Sequence, residues 1–385
     1  MPIGFHPSAG GPAGGDFLWG PPNEQACFAL EELDQAAQQG HREAFAVAAS
    51  PPPELERYLS EQAAEPSAEE LAGRIAAAVA LGASAEAQRR AAASPGLLLG
   101  RGEAAQRLER AALAAGAALR ILEGAAAHAD RTPAPAAARL RLATARCRAF
   151  AAEAAVYRTA SIARVRALPM AETLAARIAA EEAFAFAAEQ ARRCGGAAPS
   201  ASLAEFLPDA SVDADRLRLM QTLLLQPEDE RRALDEAVQE ALREARTEAP
   251  THEAEMPLAA EKAYATAAKK STLYALGLAR EAFGDELPQQ EEILLCLADM
   301  AALTYAVESA VMRAARHAAA DDDDVAIAIA QVFSRDALVE IERPALAVVA
   351  ASVDAEEMTR AEPPLLGFTR ATAIDSLAAL RRIGR

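Results

Sequence analysis

Residues 103–129 read EAAQRLERAALAAGAALRILEGAAAHA, and this stretch decides the fold. Alanine is the best helix former, leucine and glutamate follow closely, and nothing here breaks the run. Pro133 and Pro135 stop it, since proline lacks the amide a continuing helix needs. The same pattern returns downstream. Residues 136–167 form a second predicted helix closed by Pro169, and 170–193 a third closed by Gly195-Gly196. After a predicted loop over 197–213 come a short apolar helix at 217–225, Pro227, and a charged helix from Glu228 to about Arg246. Three long helices follow, over 253–284, 289–317 and 321–349. Short connections between long helices imply antiparallel neighbours in bundles. The expected fold class is all-α.

Upstream the reading is less regular. Residues 1–24 are rich in Gly and Pro and predict an extended arm, with Phe17, Leu18 and Trp19 as possible anchors. Residues 25–102 predict a short helical N-terminal region. It holds a helical pattern from Cys27 to Phe45, and a capping box at Ser67-Ala68-Glu69-Glu70 opens an apolar helix to about Leu81. The expected organisation is then a helical domain over 103–249 and a C-terminal helical bundle over 250–385.

Composition excludes several classes of function. The chain of 385 residues carries 39 Lys+Arg against 56 Asp+Glu, a formal charge of −17. Phosphate backbones and anionic membrane surfaces demand clustered cations, so neither nucleic acid nor membrane is an expected partner. Apolar residues make up 52% of the chain and aromatics only 4%, which leaves little to fill a β-sandwich or barrel. The four cysteines (Cys27, Cys147, Cys194, Cys296) lie far apart with no CxxC, so reduced thiols in a cytoplasmic setting are expected, without zinc. Met1 to Trp19 lacks the basic and apolar regions of a signal peptide. No stretch reaches the about eighteen uncharged apolar residues of a membrane helix.

The common catalytic signatures are missing from the sequence. It has no Walker loop, no GxSxG elbow and no dinucleotide fingerprint after a strand. Gly100-Arg101-Gly102 reads as a linker, and His252-Glu253 lacks the second His of a zinc protease. His6, His41, His128 and His317 have no local nucleophile or acidic partner. Asp321 to Asp324 lacks the Gly and distal Glu of a calcium loop and reads as an acidic helix start, favoured by the helix dipole.

Several short motifs, taken in order, resemble an acyl-CoA dehydrogenase of the very-long-chain-like bacterial branch with an extra C-terminal helical bundle. His128-Ala129-Asp130-Arg131-Thr132 is similar to the family's "Ala-Asn-x-Arg-x-Gln-Phe" turn, and residues 150–160 to its second helix. Cys194-Gly195-Gly196 resembles its "His-Gly-Gly" turn. Ala298-Asp299-Met300-Ala301 with Thr304-Tyr305-Ala306 is similar to a helix of the extra bundle, and Phe368-Thr369-Arg370 through Arg382 to the bacterial tail. Gly14-Gly15-Asp16-Phe17-Leu18 resembles the branch's "Gly-Gly-Ser-Phe-Leu" entry. The resemblance implies antiparallel long-helix bundles like the family's C-terminal helical domain, plus a second C-terminal bundle.

The departures from the family shape the functional expectation. Only about a hundred residues precede the first matched helix and none reads as a barrel, so the family's β-domain is expected to be missing. The glutamate base of "Asp-Ala-x-x-x-Arg-Ile-Phe-Glu-Gly-Thr-Asn-Glu" falls on Gln221 within Asp213 to Leu225, and Thr222-Leu223-Leu224-Leu225 replaces the part that approaches flavin. A neutral amide accepts no proton near neutral pH. The resemblance would carry flavin contacts to Arg131, Gly195 and Gly196, but the Gln-Phe pair beyond Arg131 is Pro133-Ala134, and the first Gln and last Gly of "Gln-x-x-Gly-Gly-x-Gly" are lost. The favoured expectation is a protein that has lost catalysis, binds no cofactor, and serves as a homo-oligomer or as a subunit with a complete dehydrogenase. One alternative is an FAD-dependent enzyme that uses Glu228 or Asp229 as base and borrows a β-domain from a partner chain. Another is a helical scaffold outside lipid metabolism.

Overall fold

The computed structural model describes residues 16–18, 103–131, 135–162, 169–194, 210–245, 258–321, 324–370 and 374–384. The arm and the region 25–102 otherwise lie outside the described residues, as does Cys27. Ten α-helices lie among the described residues: α1 Glu103–Arg131, α2 Ala136–Ile162, α3 Met170–Arg193, α4 Ala210–Leu224, α5 Glu228–Glu244, α6 Ala259–Phe283, α7 Glu291–Asp321, α8 Asp324–Ser352, α9 Ala355–Thr369 and α10 Ser376–Ile383. A 3₁₀ turn, Gly284–Gln289, joins α6 to α7, and a second covers Asp16–Leu18. No strand occurs among the described residues, so the fold is all-α as expected.

Helix α7 is the hub. It packs on α2, α3, α4, α6 and α8, and on the turn at Asp16–Leu18. That position explains its composition. Its segment Glu291–Ala318 is long and apolar enough to cross a membrane, with mean hydropathy 1.5, whereas the sequence reading saw no such stretch. Of its most apolar window 72% is buried inside the protein, as befits a core helix.

Alanine lines the interfaces of α1, α2, α3 and α7, so their backbones approach closely. One apolar core draws buried side chains from Leu108 in α1 through Leu297 in α7 to Leu365 in α9. A second joins Ala143, Cys147 and Ala151 of α2 to Val307 of α7, Phe333 of α8 and Ile383 of α10. Both cores draw residues from either side of residue 249.

Several boundaries differ from the sequence reading. Helix α4 begins at Ala210, inside the predicted loop 197–213. Helix α8 begins at Asp324, while Asp321 closes α7; the acidic residues thus straddle a helix junction. Two unpredicted helices follow α8. Asp354 opens α9 by accepting from the amides of Glu356 and Glu357, both at 2.9 Å, and Asp375 caps α10 by accepting from Ala378 N at 2.9 Å. Pro344 lies inside α8, and Pro363 and Pro364 inside α9.

Helix α5 docks through a stripe at Leu234, Val238, Ala241 and Leu242, the spacing of one helical face. Its partner surface on α6 needs a glycine. A Cβ at Gly277 would lie 2.9 Å from Val238 Cγ1 and 3.0 Å from Leu242 Cδ1. Gly277→Val should therefore force α5 outward and cost about 1–3 kcal/mol, with Gly277→Ala milder. Urea unfolding of the two variants checks this; a Gly277→Val midpoint equal to wild type would contradict the close approach.

Candidate functional site

The segment singled out by sequence, Asp213 to Leu225, is mostly α4, held by buried Leu219, Met220 and Leu223 and by a dense set of ion pairs. Asp215 is buried with 3% of its side chain exposed, and it takes two guanidinium groups. Arg107 Nε of α1 donates to Asp215 Oδ1 at 2.9 Å, and Arg177 of α3 pairs with Oδ2. Arg177 also donates to Glu181 Oε1 at 3.0 Å and to Ser211 Oγ at 2.8 Å, and Arg110 donates to the same Glu181 oxygen at 2.6 Å. A buried carboxylate between two cations is desolvated yet compensated.

Arg216, on the next position of α4, reaches the other way. It donates to Asp299 Oδ1 of α7 at 2.5 Å and to Asp213 Oδ1 at 2.9 Å, and pairs with Glu182 of α3. Burial first, then the neighbouring Asp299 charge, pushes the Glu182 carboxyl up to about 7. Burial also raises Asp299, against the opposing pull of Arg216. Arg218 closes the set, donating to Glu103 Oε2 at 2.6 Å at the start of α1.

Against this frame Gln221 is exposed on the surface of α4. Leu223 is fully buried in the protein's own core, while Leu225 keeps 77% of its surface exposed. Thr222 Oγ1 donates to the Arg218 carbonyl at 2.8 Å, a bond within the helix. Glu228 and Asp229 stand exposed in the first turn of α5, where acidic residues complement the helix dipole.

Arg131 lies at the opposite end of α1. Its Nε donates to the Ala127 carbonyl of its own helix at 2.9 Å, and Asp130 pairs with Arg139 at 3.8 Å. Cys194, closing α3, sits at this same end, with Sγ donating to the Ala138 carbonyl at 3.5 Å. Gly195 and Gly196 fall outside the described residues. Because Arg218 meets Glu103, and Arg131 is 28 residues farther along α1 at about 1.5 Å each, Gln221 and Arg131 stand roughly 40 Å apart. The fold thus brings Arg131 and the end of α3 together and keeps both far from Gln221.

Of the three residues carried over for flavin, Arg131 is the one described, and it is a single exposed cation already bonded to its own helix. That does not make a dinucleotide site, and no chemical step can be routed through a flavin on this chain's described residues. They also hold no group of three His, Cys, Asp or Glu side chains that could bind a metal. The residues that sequence reasoning missed are Arg107, Arg177, Glu181 and Asp215, whose pairing joins α1, α3 and α4. Their signal was the charge density of residues 213–218 next to helices otherwise rich in alanine.

Comparison with known proteins agrees with this architecture. Residues 267–361, from α6 into α9, match the sequence model of the family "Acyl-CoA dehydrogenase, C-terminal domain". A probable acyl-CoA dehydrogenase of Bacillus subtilis (strain 168) is 32% identical over 115 residues, covering 29% of this chain and 19% of that protein. The crystal structure of an acyl-CoA dehydrogenase complexed with FAD from Bacillus anthracis has a TM-score of 0.65 at 21% identity, over 73% of this chain and 55% of its own. These findings make the chain acyl-CoA dehydrogenase-like, with the sequence match concentrated in its C-terminal helices. It spans about a fifth of the curated relative and about half of the structural one.

The Glu182 cluster carries a pH signature. A carboxyl raised from its ordinary 4.5 to about 7 stays protonated in the folded chain while the unfolded chain ionises. Its stabilising contribution is complete below the unfolded value and is lost as pH rises through 7. The effect should be modest, because 39% of the side chain is open to solvent. Thermal melts at pH 5 and pH 8 should show Glu182→Gln gaining on wild type at the higher pH; equal differences at both values would contradict the shift.

Proposed function

We propose that this chain is a non-catalytic relative of the acyl-CoA dehydrogenases that serves as a structural or regulatory subunit, as a homo-oligomer or with a complete dehydrogenase. The observation that carries this reading is Gln221. A neutral, exposed amide stands where the resemblance puts the general base, and a base must be able to take a proton within reach of the substrate. The separation of Gln221 from Arg131 along α1 supports it. The apolar Leu225 beside Gln221 gives this end of α4 a contact suited to another protein surface.

The alternative is an FAD-dependent enzyme completed by a partner's β-domain. One observation favours it. Glu228 and Asp229 are exposed just beyond Leu225 and Pro227, so a carboxylate stands near the end of α4. The structural relative in complex with FAD gives that reading its cofactor. Fold does not carry chemistry by itself, however, and a helical scaffold outside lipid metabolism would preserve the same bundle.

The visible absorption spectrum of the purified protein, with flavin quantified after denaturation and mass measured by light scattering, tests the proposal. The expected result is a colourless oligomer that takes up no added FAD, and a Gln221→Glu variant that still reduces no dye with acyl-CoA. Near-stoichiometric flavin would overturn it in favour of the completed enzyme.

A further inference from the structure

A cavity of about 500 Å³ opens between α5, α6 and α7, away from Gln221 and Arg131. That volume falls within the roughly 300–1,000 Å³ typical of small-molecule sites. Its apolar surface comes from Leu18, Leu273, Val311 and Met312 among others. Leu18 is brought there by Phe17, whose ring packs edge-on to Tyr305 with centroids 4.9 Å apart. Both residues of this pair are buried. Leu18 is therefore part of the cavity wall, held in the core by Phe17 from a distant part of the chain.

The charges around the cavity are unequal in what they leave free. Glu308 lies in its lining and is held by two cations, Lys269 and, at 2.7 Å, Arg158. Burial opposes ionisation of Glu308, yet the two neighbouring cations keep its carboxyl below the usual range. Lys270 is paired with Glu244, and Glu240 with Arg243. Lys262 is different. It is exposed on the cavity lining and has no ion-pair partner among the described residues. Thr266, one turn on, is also exposed there, its hydroxyl donating to the Lys262 carbonyl at 3.1 Å.

An apolar chamber with one uncompensated ammonium on its solvent side selects a ligand with an apolar body and a single negative head. We propose that this cavity binds an amphiphilic monocarboxylate, its hydrocarbon chain against Leu18, Leu273, Val311 and Met312 and its carboxylate at Lys262. A cationic amphiphile would meet repulsion from Lys262 and find the cavity's carboxylates already engaged. A neutral one would gain the apolar contacts and lose the charge-assisted hydrogen bond. The inference does not rest on the proposed function, since none of these residues belongs to α1, α3 or α4.

Calorimetric titration of the delipidated full chain with dodecanoate, dodecylamine and dodecanol tests it. Dodecanoate should saturate one site per chain and bind more tightly than the other two. Lys262→Glu should weaken it by roughly fivefold to tenfold, the scale of losing and reversing an exposed charge pair. Thr266→Trp, which crowds the entrance from an exposed position, should weaken it too. Thermal melts of both variants should match wild type, because neither side chain is part of the core. Absence of saturable binding to wild type, equal binding of dodecylamine, or unchanged affinity in both variants would overturn the site; the last outcome marks surface adsorption.

Discussion

Close approach between alanine-lined helices governs this structure. An alanine side chain buries little apolar area, and burial is worth about 25 cal/mol per Å², so each contact contributes little. Stability must come from length and from many contacts along each helix. The long runs α1, α2, α3 and α7, which share buried alanines along their interfaces, follow from that constraint. Tight spacing also leaves little room for water beside a buried polar group. Several polar side chains inside the bundle pair with one another. Thr159 Oγ1 and Tyr305 OH lie 2.9 Å apart, Thr272 and Thr304 hydroxyls 3.2 Å apart, and the Arg158 guanidinium stacks over the Tyr305 ring at 4.5 Å.

The same constraint explains why α4 is fastened by ions. Asp215 takes arginines of α1 and α3, and Arg216 meets carboxylates of α3 and α7, directional contacts that alanine cannot supply. A carboxylate gripped by Arg107 and Arg177 fixes rotation and register of the helix at once. An apolar contact would fix neither so tightly, since burial has no direction. Whether such pairs add net stability is a separate matter, because desolvation offsets much of their attraction.

Much of this was legible in the sequence, and the failures have causes. Pro135, Pro169 and Pro227 punctuate the chain where the structure breaks, because proline removes an amide a continuing helix needs, whereas Pro344, Pro363 and Pro364 are carried inside helices. The start of α4 was misread as loop because Asp213, Asp215 and Arg216 look solvated until α1, α3 and α7 are placed around them. Helices α9 and α10 were missed although Asp354 and Asp375 are ordinary N-caps. The apolar length of α7 was undervalued because Asp299 and Glu308 interrupt it; both are paired, Glu308 inside the bundle and Asp299 near its surface. The Arg131–Gln221 separation was invisible in sequence, since order along the chain says nothing about which helix ends meet.

The segment that bears Gln221 is occupied with holding the fold. Asp213, Asp215, Arg216 and Arg218 all spend their charge on other helices or on each other, and Leu219, Met220 and Leu223 are buried. Gln221 is flanked by residues whose positions packing has already set. A glutamate placed there would face water, without the burial that raises a carboxyl pKa. The hub helix α7, by contrast, falls entirely within the region matched to the family's C-terminal domain, together with α8 and most of α6. The sequence match thus follows the packing of the hub.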